Sequence, residues 1–133
     1  MKLVMAAVTY LVRDYDEAII WFTDVLGFTL VEDTHLSDRK RWVKVAAGRG
    51  GTCLLLAKAD GPAQQAAIGK AAGGRVAYFL HTDNFSVAHA QMLAAGVTFR
   101  EAPRHETYGT VAVFEDLYGN GWDLIELKPA SIP

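Results

Sequence analysis

The sequence predicts an α+β fold built from two βαβββ modules in tandem, and three observations point to it. Residues 14–27, followed by Thr29 and Glu32, are echoed by residues 83–96, followed by Thr98 and Glu101, and Asp83 follows Asp14 by 69 residues. In a chain of 133 residues a second copy that begins halfway along implies two similar half-domains, with a site most naturally placed where they meet. Apolar residues alternate with a period of two ahead of each copy, as strands between two environments do. Each copy opens on a helix-capping residue and closes on a glycine.

The first module occupies residues 1–60. In residues 7–12, Val8, Tyr10 and Val12 fall on one face of a strand and Ala7, Thr9 and Leu11 on the other. Asp14 then caps a helix, and Glu17 three residues later has the spacing of a capping box. Ala18, Ile19, Phe22, Val25 and Leu26 make its apolar stripe, and Gly27 ends it. Strands follow over about 28–34, 40–46 and 52–58, with the glycine-rich residues 48–51 turning the last hairpin.

The second module occupies residues 75–129 and repeats the order. Residues 75–81 alternate as a strand, and Asp83 caps a helix that buries Phe85, Ala88, Met92 and Leu93 before Gly96 stops it. Strands over about 97–103, 109–115 and 121–127 complete the module, and Asn120-Gly121 is a tight-turn signal before the last. Residues 61–74, GPAQQAAIGKAAGG, read as a surface connection with a weak helical turn. The two modules together are read as a single domain over 1–133.

Composition excludes several function classes. With 51% hydrophobic and 21% charged residues the chain can bury a sizeable core, so it is neither disordered nor fibrous. A formal net charge of −2 gives no electrostatic reason to expect nucleic acid or an anionic membrane as partner. The apolar N-terminal run passes straight into strand alternation and cap residues, which reads as a first strand rather than a signal peptide. No run reaches the roughly 18 apolar residues of a membrane span. One cysteine, Cys53, permits no internal disulfide, which leads to the expectation of a cytoplasmic protein.

The segments VTYLVRDYDEAIIWFTDVLGFTL and VAVFEDLYGNGWDLIEL resemble the first strand-helix-strand unit and the closing hairpin of the vicinal oxygen chelate superfamily, which includes glyoxalase I, extradiol dioxygenases and bleomycin-resistance proteins. The resemblance covers essentially the whole chain. It implies two βαβββ modules whose curved mixed sheets form a cleft, often within a homodimer. It constrains function less, because the same scaffold hosts lyases, epimerases, dioxygenases and metal-free binding proteins.

The metal enzymes of that superfamily take one ligand from the first strand and one from the last strand of each module. Carried over residue by residue, those positions fall on Ala7, Cys53, Arg75 and Asp123. The Arg75 assignment rests on the alternation of Val76, Tyr78 and Leu80 and needs one extra residue before Asp83. A hard divalent cation wants imidazole and carboxylate donors. Alanine supplies none, a thiol prefers softer metals, and a permanent guanidinium charge repels a cation by several kcal/mol even at an effective dielectric of about 20. The expectation is therefore no metal and no cofactor.

Arg75 and Asp123 have two readings, an ion pair stapling the cleft or an arginine that keeps donors free for an anionic group of a ligand. His81 lies on the strand face of Arg75, beyond Ala77 and Phe79, within reach of the cleft mouth as a base or hydrogen-bond partner. Cys53 is either a reactive thiol or, more commonly on so apolar a strand, a buried inert one. Trp122 alternates with Asp123 and should face the helix layer, whereas Trp42 suits the cleft or a dimer interface. His105, with Glu106 and Tyr108, belongs to a lid or a solvated loop. His35 and His89 read as surface residues. Asp116 starts the turn that Gly119, Asn120 and Gly121 complete, and Glu115 either shares a helix-side face with Val111 and Val113 or sits exposed.

Two functions from different classes remain open. One is a metal-independent protein enclosing a small organic molecule, aromatic or anionic, in a cleft lined by Leu11, Leu55, Ala77, Phe79 and Ile125, as the bleomycin-resistance branch implies. The other is a lyase, isomerase or dioxygenase-type enzyme with a non-standard metal site or none. Metal content separates them.

Overall fold

A computed structural model of the chain describes residues 1–48 and 50–129. It divides into two compact units at Ala71 and Ala72, inside the expected connection.

In the first unit, β1 (Ala7–Val12), β2 (Thr29–His35), β3 (Arg41–Ala46) and β4 (Cys53–Lys58) form one mixed sheet in the order β1-β4-β3-β2. β1 runs parallel to β4 while the two hairpin contacts are antiparallel. Asp14, in extended conformation, accepts the Glu17 N–H at 2.9 Å and starts α1 (Tyr15–Ile20), and the Glu17 carboxylate pairs with Arg13. The helix continues as a π-helical turn over Trp21–Val25, with Leu26 N–H reaching Trp21 O at 3.1 Å. Gly27 then takes φ +76°, a left-handed conformation that suits a residue without Cβ.

That packing gives the sheet two unlike faces. Tyr10, Val12, Val43, Val45, Leu54 and Leu56 are buried with Ala18 and Phe22 of the helical segment. The Phe22 ring stands edge-on to Tyr10 and Trp21, each at 5.2 Å, and lies 5.4 Å from Phe28. Ile19, Val25 and Leu26 of the expected stripe are only half-buried, whereas Tyr15, outside that stripe, is buried. Part of the glycine- and alanine-rich connection is α2 (Gly61–Ala67), a short helix with Pro62 in its first turn, where a missing N–H costs nothing.

In the second unit, β5 (Val76–His81), β6 (Thr98–Phe99), β7 (Arg104–Glu106), β8 (Gly109–Glu115) and β9 (Gly121–Leu127) form the second sheet. Its order is β5-β9-β8-β6, with β7 also on β8, and β5 parallel to β9. Of the strand expected over 97–103 only β6 forms, and β7 begins after Pro103. Pro103 has no N–H to give a ladder, and before it the Glu101 carboxylate accepts the Val113 N–H at 3.0 Å in place of a strand carbonyl.

Two further expectations shift. The cap of α3 (Phe85–Ala94) is Asn84 rather than Asp83: its side chain accepts the Val87 N–H at 3.2 Å. Leu93 is half exposed at 50%, while Phe85 and Met92 are buried as expected. His89 is not a free surface residue, because its ring stacks on Phe85 at 5.4 Å and meets Phe99 edge-on at 4.5 Å. This aromatic run continues through Phe114 to Trp122, which faces the helix side as its alternation with Asp123 predicts. Glu115, Val111 and Val113 therefore lie on the opposite face, where Glu115 pairs with Arg100 at 3.0 Å. Among the described residues no helix is long and apolar enough to cross a membrane.

Candidate functional site

The site positions lie on the sheet face of each unit that carries no helix. In the first unit this face presents Ala7, Thr9 and Leu11 from β1 and Cys53, Leu55 and Ala57 from β4, with Ala7 paired to Cys53 and Thr9 to Leu55. Lys44, opposite Leu55, reaches Glu32 at 3.8 Å and lies 5.7 Å from the centre of the Trp42 ring. Trp42 is 37% exposed, so an indole face sits on this surface together with a cation. Cys53 is half-buried beside these apolar neighbours.

In the second unit the same face carries Phe79 and His81 from β5 and Asp123 and Ile125 from β9. Phe79 pairs with Asp123 and His81 with Ile125, and residues paired across a ladder project to the same side. Across β9, Asp123 and Ile125 pair with Val113 and Val111 of β8, and Arg104 of β7 pairs with Val111. Phe79 is 63% exposed and His81 is exposed beside it.

Arg75 is not part of this arrangement. It is an exposed residue before β5 whose N–H closes a turn onto Ala72 O at 3.2 Å, and among the described residues it forms no ion pair with Asp123. The reason is one of register. Asn84 is the counterpart of Asp14, 70 residues on, and Asp123 follows Cys53 by the same 70. That offset carries Ala7 to Ala77, at the irregularity between Val76 and Tyr78 in the ladder, and Thr9 and Leu11 to Phe79 and His81. By that offset the first-strand donor position of the second unit falls on Ala77, while in the ladder itself Asp123 is paired with Phe79 where Cys53 is paired with Ala7.

Electrostatics single out Asp123. Burial pushes its carboxyl above the usual aspartate value, the Arg104 guanidinium opposes that rise, and Glu101 adds to it. Arg104 is committed elsewhere, Nε to Glu101 and Nη1 to Glu106, each at 2.8 Å, and the bond from Arg104 holds the Glu101 carboxyl low. The cluster of Glu101, Arg104 and Glu106 was missed by sequence reasoning, although Pro103 and the flanking charges of residues 101–106 signalled a strand break. His105 belongs to β7 rather than to a loop, its Nδ1 3.3 Å from Thr110 Oγ1. Tyr78, on the other face, is raised to about 12 by burial and by Asp116.

The model of the Glyoxalase/Bleomycin resistance protein/Dioxygenase superfamily matches residues 4–124. The chain belongs to that superfamily. An uncharacterized protein of Shewanella frigidimarina (strain NCIMB 400) is 48% identical over 130 residues, covering 96% of both chains. The crystal structure of UcmS2 is similar with a TM-score of 0.80 at 29% identity, over 94% of this chain and 98% of that one. TnmS3, an antibiotic binding protein from Streptomyces sp. CB03234, shares the fold with a TM-score of 0.73 at 23% identity, over 96% and 98%.

The superfamily's metal enzymes need donors at four strand positions, which the offset of 70 carries to Ala7, Cys53, Ala77 and Asp123. Two of these side chains have no donor atom, one is a thiol and one is a carboxylate, a set that does not fit a hard divalent cation. Among the described residues no three His, Cys, Asp or Glu side chains are grouped closely enough to hold an ion.

Proposed function

We propose that the protein binds a small organic molecule against the helix-free sheet faces of its units, without the divalent metal of its enzymatic relatives. The observation that carries this reading is the donor set, in which alanine stands at both first-strand positions, Ala7 and Ala77, while the surfaces around them are apolar and aromatic. Trp42 and Leu55 in the first unit and Phe79 in the second offer flat and apolar contact, with a few polar groups for orientation. TnmS3, with the same fold, binds an antibiotic, which agrees with a binding role. The expected anionic handle at Arg75 has lost its support, since that residue precedes the strand. A homodimer, expected from the superfamily, and a reducing cytoplasm, expected from the lone Cys53, belong to the same proposal.

The test combines metal analysis of the purified protein with a small-molecule screen read by thermal shift. Stabilising ligands with substoichiometric zinc, nickel, manganese and iron support the reading. Stoichiometric metal overturns it. That outcome would favour a lyase, isomerase or dioxygenase-type enzyme, a reading to which Cys53 and Asp123 lend support because both retain a donor atom.

A further inference from the structure

The second unit holds a half-buried carboxylate with no partner on a surface that otherwise invites an aromatic ligand. Asp123 sits centrally, between Phe79 on β5 and Val113 on β8, with Ile125 two residues along its own strand. Among the described residues its side chain makes no hydrogen bond and no ion pair. The nearby cation, Arg104, already serves Glu101 and Glu106, both of the same sign as Asp123. Beside this uncompensated carboxylate stands Phe79, 63% exposed, an unusual position for a phenyl ring on the inner part of a strand.

We propose that Asp123 and Phe79 together form a subsite for a protonated nitrogen carried on a flat apolar body, such as an arylalkylammonium, an amidinium or an N-heterocyclic cation. The carboxylate accepts the N–H bonds and holds the cation, and the face of the Phe79 ring receives the flat apolar body of the ligand. A charge-assisted bond in surroundings this apolar is worth more than one in water, and the aromatic platform next to it fixes orientation. The other charged or titratable groups around the subsite are His81 on β5, Glu101, Arg104 and Glu106, and of these only Arg104 is a permanent cation. An anionic ligand would meet Asp123 and Glu101 at close range. The first unit has no counterpart, because Cys53 stands there in the place of Asp123 and its ladder partner is Ala7, with neither a carboxylate nor a ring. This inference rests on the small-molecule reading above and names the ligand chemistry of one of its two faces.

The experiment titrates the full chain with three probes of one shape, benzamidinium, benzamide and benzoate, followed by backbone and aromatic NMR shifts. Saturable shifts at Phe79, Asp123 and Ile125 with benzamidinium, at least tenfold weaker with benzoate and lost in Asp123→Asn, are expected. A second variant, Phe79→Leu, should weaken benzamidinium severalfold while leaving an unperturbed spectrum elsewhere. If benzoate or benzamide binds this face as well as benzamidinium does, or Asp123→Asn binds benzamidinium unchanged, the subsite is overturned while small-molecule binding stands. If none of the probes shifts any residue on either sheet face and the thermal-shift screen is also empty, both readings fall.

Discussion

Trp122 donates its indole Nε1–H to Asp116 Oδ2 at 2.9 Å, inside the second unit, where both residues are almost fully buried. Asp116 also accepts the backbone N–H groups of Tyr118 and Asn120, each at 3.0 Å, and the Asn120 side-chain amide at 3.1 Å. One carboxylate thus closes the turn before β9 and fixes the tryptophan that anchors the aromatic run. Asp116→Ala leaves those donors buried without an acceptor, at a cost of about 2–4 kcal/mol. Urea unfolding should show the lower midpoint, and Trp122 near-ultraviolet dichroism should weaken with it.

At Gly109 an added Cβ would lie 2.1 Å from the Glu126 carbonyl oxygen, a backbone atom that cannot swing aside. Gly109→Ala is therefore expected to destabilise by more than about 2 kcal/mol or to abolish folding. Gly48→Ala, where a Cβ meets nothing within 4 Å, is the control and should stay within about 0.5 kcal/mol. Equal thermal midpoints for the two variants would contradict the register of β8 on β9.

Arg41 ties together β2, β3 and the first turn of α1. Its guanidinium holds both oxygens of Asp33, reaches Asp16 at 2.8 Å and lies 5.2 Å from the Tyr15 ring centre. The bond from Arg41 keeps the Asp33 carboxyl below its ordinary value. A depressed carboxyl contributes stability that is present above the unfolded value of about 3.9 and lost as pH falls through the folded one. Asp33→Asn should therefore cost roughly 0.5–1 kcal/mol at pH 7, a small figure because the pair is partly solvated, and less at pH 2. Calorimetry at the two pH values measures the difference.

Histidines placed at the two alanines test the positional equivalence. Ala7→His together with Ala77→His adds imidazoles at the first-strand positions, and uptake of zinc or nickel is expected to rise from background toward stoichiometric. Ala7→His with Arg75→His should gain none. Plasma emission spectroscopy on dialysed protein distinguishes the two pairs, and equal uptake would restore Arg75 to the site.

Much of this was legible because the signals are local. Asp14, Gly27 and the alternation around Tyr10 each act within a few residues, so the chain alone announced a helix between strands, and Trp122 on the helix side followed from its neighbour Asp123. Expectations failed where the outcome depends on segments far apart in sequence. Leu93 has helical spacing, yet whether a helix face is covered depends on what packs against it.

The sequence by itself determined the duplicated βαβββ order, the core faces of most strands and the superfamily, since caps, turns and periodicity are written into short stretches of chain. Only the tertiary structure decided that Asn84 rather than Asp83 caps the second helix, which moves the offset-based counterpart of Ala7 from Arg75 to Ala77, that Phe79 stands opposite Asp123, and that Arg104 is committed to Glu101 and Glu106. Strand register is set by pairing between distant segments, and a slip of one residue exchanges the two faces of a strand. The two-residue distance from Arg75 to Ala77 keeps the face, but it replaces a cation with a methyl group and leaves Asp123 without the partner that the sequence offered.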